Sequence, residues 1–279
     1  MQSIPFAKGH GTSNDFVVLP DPDATLDLTP SRVRALCDRH RGIGADGVLR
    51  VVRTVAIEEA MDGEAAADSE WFMDYRNADG SIAEMCGNGV RLFARYLVNA
   101  GMVPAGELIV GTRGGARPVQ VPACGDVTVD MGPVRLHGTS SATIEGRAFE
   151  GIILDVGNPH LACVTDVPLA SLDLTVPPGH DPAAFPHGVN VEFVSVTGPA
   201  TASVRVHERG VGETHSCGTG TVAAAVAVLH SLGSQTGKCA VDTAGGRLHV
   251  VVDETTTRLT GPAVIVARGE LDAAWWASG

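Results

Sequence analysis

Two of the six cysteines stand in matching phrases. Cys86 opens Cys-Gly-Asn-Gly at 86–89, and Cys217 opens Cys-Gly-Thr-Gly at 217–220. Each phrase runs into an apolar stretch that reads as a helix. A helix N-terminus carries unpaired amides and the positive end of the dipole. That position should lower a thiol pKa from about 8.5 toward neutrality. It also offers a dock for a carboxylate, and the small residues after each cysteine let the backbone come close. One such phrase says little, because glycine before a helix is common. Two of them suggest a shared task. A thiolate and a thiol on opposite faces of one carbon can remove a weakly acidic proton and return another, then exchange roles. Opposed helix ends could stabilise the enolate-like charge that develops.

The polar residues nearby suit a zwitterionic ligand. Asn14, Asn77, Asn158 and Asn190 sit beside turn-forming residues, where any one alone would read as an Asx-turn. Glu208-Arg209 follows a strand-like run. Its plain reading is a surface ion pair, yet an arginine this near a reactive cysteine also suits a carboxylate. His160 could orient a thiol or share its proton transfers, although a lone histidine is more often structural.

Short β-branched runs bounded by turn residues dominate the chain, among them 17–19, 48–52, 108–110, 119–121, 127–129, 152–154, 191–194, 203–206, 248–252 and 263–266. Helices are predicted at 30–38, with Thr29 as N-cap and Pro30 in first position, and at 88–99 and 219–232. The order repeats. Asn14 after a Gly-rich turn precedes Cys86 and a helix, and Asn158 in Gly-Asn-Pro-His precedes Cys217 and a helix. The second spacing is shorter by about the length of the acidic stretch around residues 58–70, which reads as a solvated insertion. The expected fold is therefore α/β, or α+β, with two similar halves facing each other across a cleft. The expected domains are 1–132 together with 268–279, and 133–267.

Composition narrows the function. The 279 residues suffice for two domains. A net charge of −12 and 4% aromatics argue against nucleic acid as a partner. The longest apolar run, 222–229, is too short to span a membrane, and the N-terminus lacks the pattern of a signal peptide. A cytoplasmic location with reduced thiols is expected. No C-x-x-C pair suggests zinc. Neither a phosphate-binding loop nor a dinucleotide fingerprint is present, and Lys8 and Lys238 are the only lysines available to a pyridoxal cofactor. Neither cofactor nor metal is expected.

Six segments then resemble one known family. They are 6–16 (Phe-Ala-Lys-Gly-His-Gly-Thr-Ser-Asn-Asp-Phe), 39–46 (Arg-His-Arg-Gly-Ile-Gly-Ala-Asp), 75–80 (Tyr-Arg-Asn-Ala-Asp-Gly), 85–91 (Met-Cys-Gly-Asn-Gly-Val-Arg), 157–160 (Gly-Asn-Pro-His) and 208–220. In order and content they are similar to the signature segments of diaminopimelate epimerases. The resemblance implies interconversion of LL- and meso-diaminopimelate, on the route to lysine and peptidoglycan. It implies two pseudo-symmetric domains, each a barrel-like mixed sheet around a central helix, and often a homodimer. It implies Cys86 and Cys217 as the acid/base pair, supported by His160 and Glu208. It implies Gly87, Asn88, Gly218 and Thr219 at the reacting carboxylate. It implies Asn14, Asn77, Asn158, Asn190, Glu208 and Arg209 at the amino groups and the distal carboxylate. One position departs: many family members carry glutamine where this chain has Gly47. Two rival enzymes share the two-base idea, those acting on proline or hydroxyproline and the phenazine-type isomerases, but the latter replace a catalytic thiol by a carboxylate. A thiol redox sensor or a binding module is the non-enzymatic rival.

Overall fold

A computed structural model describes residues 3–57 and 68–278. Most of the acidic stretch, residues 58–67, lies outside the described residues. The chain divides into two compact units, Met1–Val129 with Pro262–Gly279, and Asp130–Gly261.

The first unit contains β1 (Ile4–Gly11), β2 (Asn14–Pro20), α1 (Pro30–Cys37), β3 (Gly47–Arg53), β4 (Trp71–Asn77), α2 (Gly87–Asn99), β5 (Gly106–Gly111), β6 (Arg117–Val121) and the start of β7 (Val127–Gly132). The second contains β8 (Arg135–Ile144), β9 (Arg147–Asp155), β10 (Pro159–Val164), β11 (Gly179–His180), β12 (Asn190–Gly198), β13 (Thr201–Glu208), β14 (Gly212–Thr214), α3 (Gly218–Ser231), β15 (Gly237–Thr243), β16 (Gly246–Val252) and β17 (Thr257–Gly261). β18 (Val264–Leu271) and the short α4 (Ala273–Ser278) belong to the first unit.

The two units repeat one strand order. In the first, β18, β1 and β2 run antiparallel in turn. β2 pairs β3 in parallel, β3 pairs β4 antiparallel, β4 pairs β5 in parallel, and β5 and β6 then pair antiparallel with their successors. In the second, β8, β9 and β10 run antiparallel. β10 pairs β12 in parallel, β12 pairs β13 antiparallel, β13 pairs β15 in parallel, and β15, β16 and β17 run antiparallel. Among the described residues the two units differ in chain order: the last strand, β18, takes beside β1 the place that β8 takes beside β9. It pairs with β1 from Val264 onward, which draws the end of the chain back into the first unit.

The parallel steps β4–β5 and β13–β15 each need a crossover, and there the crossover is the helix that follows the cysteine. α2 packs against β1 to β6 and β18; α3 packs against β9, β10, β12, β13 and β15 to β17. Both helices are surrounded by strands, so both are buried on every side. For α3 the run Val-Ala-Ala-Ala-Val-Ala-Val-Leu makes that possible: small side chains let the strands close in. In α2 the same position holds two arginines. Arg95 sends its guanidinium to the carbonyls of Pro122, Ala123 and Gly125 at 2.7, 3.3 and 2.9 Å, and so satisfies a buried cation with loop backbone. The expected cap of α1 is present, with Thr29 Oγ1 accepting from the Arg32 amide at 3.3 Å. No helix among the described residues is long and apolar enough to cross a membrane.

Candidate active site

The strand order fixes where the polar residues meet. In the first unit, Asn14 starts β2, Gly47 starts β3, and Asn77 ends β4 opposite Gly47. Parallel neighbours begin at the same end of a sheet, and an antiparallel neighbour finishes there. Cys86 is the N-cap of α2. In the second unit, Asn158 precedes β10, Asn190 starts β12 opposite His160, Glu208 ends β13, and Cys217 is the N-cap of α3. In each unit, residues far apart in sequence thus gather beside one helix N-terminus.

In the first unit the turn between β1 and β2 places Thr12 and Ser13 at φ values of 50° and 64°. Non-glycine residues rarely adopt this region. The turn is held from inside: buried Thr12 meets Asn88 Oδ1 at 3.4 Å and accepts from Arg91 Nη2 at 3.2 Å. Arg91 also donates to Asn88 Oδ1 at 2.8 Å. This turns the Asn88 Nδ2 group toward Asn14 Oδ1, 3.3 Å away. The Cys86 thiol donates to the same Asn14 oxygen at 3.5 Å. From the other side Asn14 Nδ2 donates to Asp46 Oδ2 at 2.9 Å, and Arg39 binds Asp46 and Asp15 at 2.8 Å each. Asn14 is therefore fixed in both position and flip. Asn77 bonds Ser81 Oγ at 3.0 Å.

Arg91 is wholly buried, and burial lowers its pKa to about 10, partly opposed by nearby Cys86 and Asp126. The sequence reading missed Arg91, Thr12 and Asp46 as members of this group. Arg91 had a signal: an arginine one turn inside a helix otherwise built for burial.

In the second unit the Cys217 sulfur accepts from the Gly220 amide at 3.4 Å and lies 3.4 Å from Thr219 Oγ1. Among the described residues, the amides of Gly218 and Thr219 in the first turn of α3 bond to no protein acceptor. They remain available to an anion. Asn190, nearly buried, accepts from the Arg209 amide at 2.9 Å and donates to the Pro159 carbonyl at 3.3 Å. Glu208 accepts from Thr214. The Arg209 guanidinium is exposed and donates to the His187 carbonyl at 3.3 Å. Among the described residues Glu208 and Arg209 do not pair with each other, so the plain surface ion pair does not form.

His160 is wholly buried. Its Nε2 lies 3.0 Å from Asn158 Oδ1, and its Nδ1 lies 2.7 Å from Glu192 Oε1. Sequence reasoning placed Val-Glu-Phe-Val at 191–194 as a strand and passed over Glu192, although a carboxylate inside a buried apolar strand is itself a signal.

One expectation is corrected. The helix end was expected to lower the thiol pKa. For Cys217 burial pushes it well above its ordinary value, and Glu208 and Glu192 push the same way. The Thr219 hydroxyl and the Gly220 amide pull it down, but too little. The direction of this shift favours the protonated thiol at Cys217. Among the described residues no group of three or more His, Cys, Asp or Glu side chains is placed to hold a metal ion.

The family model for diaminopimelate epimerase matches residues 6–137 and 152–270. The chain belongs to the diaminopimelate epimerase family. It is 56% identical to the diaminopimelate epimerase of Rhodococcus erythropolis over 292 residues, covering 100% of this chain and 99% of that one. It is 57% identical to that of Mycolicibacterium smegmatis, covering 97% and 98%. Two solved structures share the fold at low identity. A phenazine biosynthesis protein of the PhzF family from Bacillus anthracis matches with TM-score 0.70 at 13% identity, covering 98% of this chain and 100% of that chain. A hydroxyproline epimerase from Agrobacterium vitis matches with TM-score 0.68 at 14%, covering 98% and 94%. These are the rival enzyme types considered from sequence. They share the architecture, while sequence likeness assigns the family.

Proposed function

We propose that this chain interconverts LL- and meso-diaminopimelate without a cofactor, using Cys86 and Cys217 as the two acid/base groups. The observation that supports this best is the repeated placement of a cysteine as N-cap of a buried central helix, once in each unit. One thiolate takes the α-proton and the opposing thiol delivers its own to the other face of the carbon. The negative charge has then moved from one sulfur to the other, and the reverse reaction starts from that state. The protonation state of Cys217 fits the thiol that delivers first.

The remaining assignments follow from chemistry. The orphan amides of Gly218 and Thr219, with Gly87 and Asn88 at the other helix, hold the reacting carboxylate and the charge that builds on it. The exposed Arg209 guanidinium binds the distal carboxylate, where a planar fork is well suited. Asn14, Asn77, Asn158, Asn190 and Glu208 bind the amino groups and complete the second carboxylate site. His160 and Glu208 support the thiols. Two thiols that must stay reduced favour a cytoplasmic location, and family likeness favours a homodimer, which sedimentation equilibrium would check.

The test is solvent exchange. Reduced protein in deuterium oxide, given LL-diaminopimelate and no cofactor, should wash deuterium into the α-position and form the meso isomer. A folded, reduced protein that exchanges nothing would overturn the reading. Alanine at either Cys86 or Cys217 should abolish epimerisation, and full activity in either variant would rule out the two-thiol mechanism.

A further inference from the structure

Glu192 lies outside every role assigned so far. It starts from β12, has no exposed surface, and meets a histidine that has none either. Its Oε1 is 2.7 Å from His160 Nδ1, while Oε2 has no hydrogen-bond partner. A buried carboxylate with one empty oxygen is poorly placed to be an anion. The first turn of α3 is built around it: a Cβ on Gly220 would come within 2.7 Å of Glu192 Oε1.

We propose that Glu192 is a positioning residue which, through His160, holds Asn158 with its amide NH2 group presented to the substrate. The reasoning is proton bookkeeping along one line. The acid donates to His160 Nδ1, so the ring carries its own proton on Nε2. That N–H donates to Asn158 Oδ1, 3.0 Å away. Asn158 then has its oxygen occupied, and its Nδ2 bonds to no protein group among the described residues. Two N–H donors are left for an acceptor such as a carboxylate. Moving the shared proton across to His160 leaves Nε2–H in place and does not change this outcome. Taking the proton away altogether would let the ring turn into an Nε2 acceptor, and Asn158 would flip to offer oxygen.

The surroundings keep that proton. Burial raises the Glu192 pKa, and the attraction of His160 offsets this only in part. The other titratable groups facing Glu192 are Glu208 at the end of β13, Cys217 at the head of α3 and Cys163 on β10. None is a fixed cation that would favour a carboxylate anion.

The proposal rests on Asn158 contacting substrate, but its first test does not. Ring 15N shifts of His160, assigned by their loss in His160→Gln, should show Nε2 protonated from pH 6 to 9. An unprotonated Nε2 in the wild-type protein overturns the relay whatever the enzyme's substrate. The kinetic test follows. Glu192→Leu should raise KM for diaminopimelate about tenfold, near the worth of one lost hydrogen bond, with kcat within about threefold. Glu192→Gln can still donate to Nδ1 and should stay close to wild type in KM. An unchanged KM in a Glu192→Leu protein with wild-type melting, or an equal loss in Glu192→Gln, overturns the proposal. A wild-type control that forms no meso product indicts the substrate assignment instead, and leaves the 15N result to judge the relay.

Discussion

The Cys217 sulfur accepts a hydrogen bond from the Gly220 amide at 3.4 Å, so the thiol caps the helix that carries it. Gly220 also has to be small. An ideal Cβ there would lie 2.7 Å from Glu192 Oε1, 3.2 Å from Cys217 Cβ and 3.4 Å from its sulfur. Gly220→Ala should therefore displace both the carboxylate and the thiol. The expected outcome is a loss of about 1–3 kcal/mol in stability, as for other overpacked sites, with kcat down by more than tenfold. Urea unfolding and epimerisation rates check it. Wild-type kcat in this variant would mean the sulfur is not held where the structure puts it.

Buried thiols set the alkaline limit of stability. Burial raises the pKa of Cys37 and Cys163 to about 12, and raises those of Cys217 and Cys239 as well. The unfolded chain ionises near the ordinary value of 9.0, whereas the folded chain keeps its protons. Above that pH the unfolded state binds fewer protons than the folded state, so stability falls as pH rises. The slope is at most about 1.4 kcal/mol per pH unit for each such thiol. Cys163→Ala should flatten the decline between pH 9 and 11 by one thiol's share, whatever it costs at pH 7. Equal slopes in chemical unfolding would contradict the assignment.

Much of the site could be seen in the sequence because helix starts and turns have local chemistry. Cys-Gly-x-Gly before an apolar run is enough to place Cys86 and Cys217 at helix N-termini, and Thr29-Pro30 is enough to start α1. The repeat was visible for the same reason. Strands were less legible. β1 contains Lys8, His10 and two glycines, and β4 contains Asp74 and Arg76, so neither looks like an apolar run. β8 is mostly exposed and gives no pattern. The groups that aim the site residues were hidden for a different reason. Arg91 with Thr12, and Glu192 with His160, act across long sequence separations, and only pairing of the strands brings them together. The raised pKa of Cys217 was also beyond sequence reasoning, because the desolvation that opposes the helix end comes from tertiary packing.

Asp74 should be the most costly carboxylate to remove from the first unit. Its side chain is almost fully buried and meets Arg76 and Arg113 at 2.8 Å each and Arg50 at 3.6 Å. Burial alone would raise its pKa, but Arg76 and Arg113 outweigh that and hold it below the ordinary carboxylate value. Asp74→Asn leaves buried guanidinium groups undercompensated, at a cost of about 3–5 kcal/mol. The sign of the pH effect follows. A depressed folded pKa gives stability that is complete above the unfolded value near 4 and is lost as pH falls through the folded one. Acid unfolding should therefore show a smaller drop below pH 4 in Asp74→Asn than in wild type. A variant as stable as wild type at pH 7 would refute the argument.

The glutamine that the family resemblance leads one to expect cannot simply be placed at Gly47. A Cβ at this position would lie 2.6 Å from the Arg76 carbonyl oxygen and 2.8 Å from Tyr75 Cε2. The carbonyl belongs to β4, which pairs with β3 through Val48 and Arg76, so it cannot move without opening the sheet. The Tyr75 ring is pinned edge-on to Phe16 at 5.8 Å between centroids. The obstruction is at the first side-chain atom, so Gly47→Ala and Gly47→Gln should cost similar amounts, about 1–3 kcal/mol. Neither should lower KM for diaminopimelate. Adding Tyr75→Ala to Gly47→Gln should give no rescue, because the Arg76 carbonyl still blocks the site. Thermal melts of the four proteins decide this, and a Gly47→Gln protein as stable as wild type with a lower KM would show that the strand pair yields where the structure says it does not.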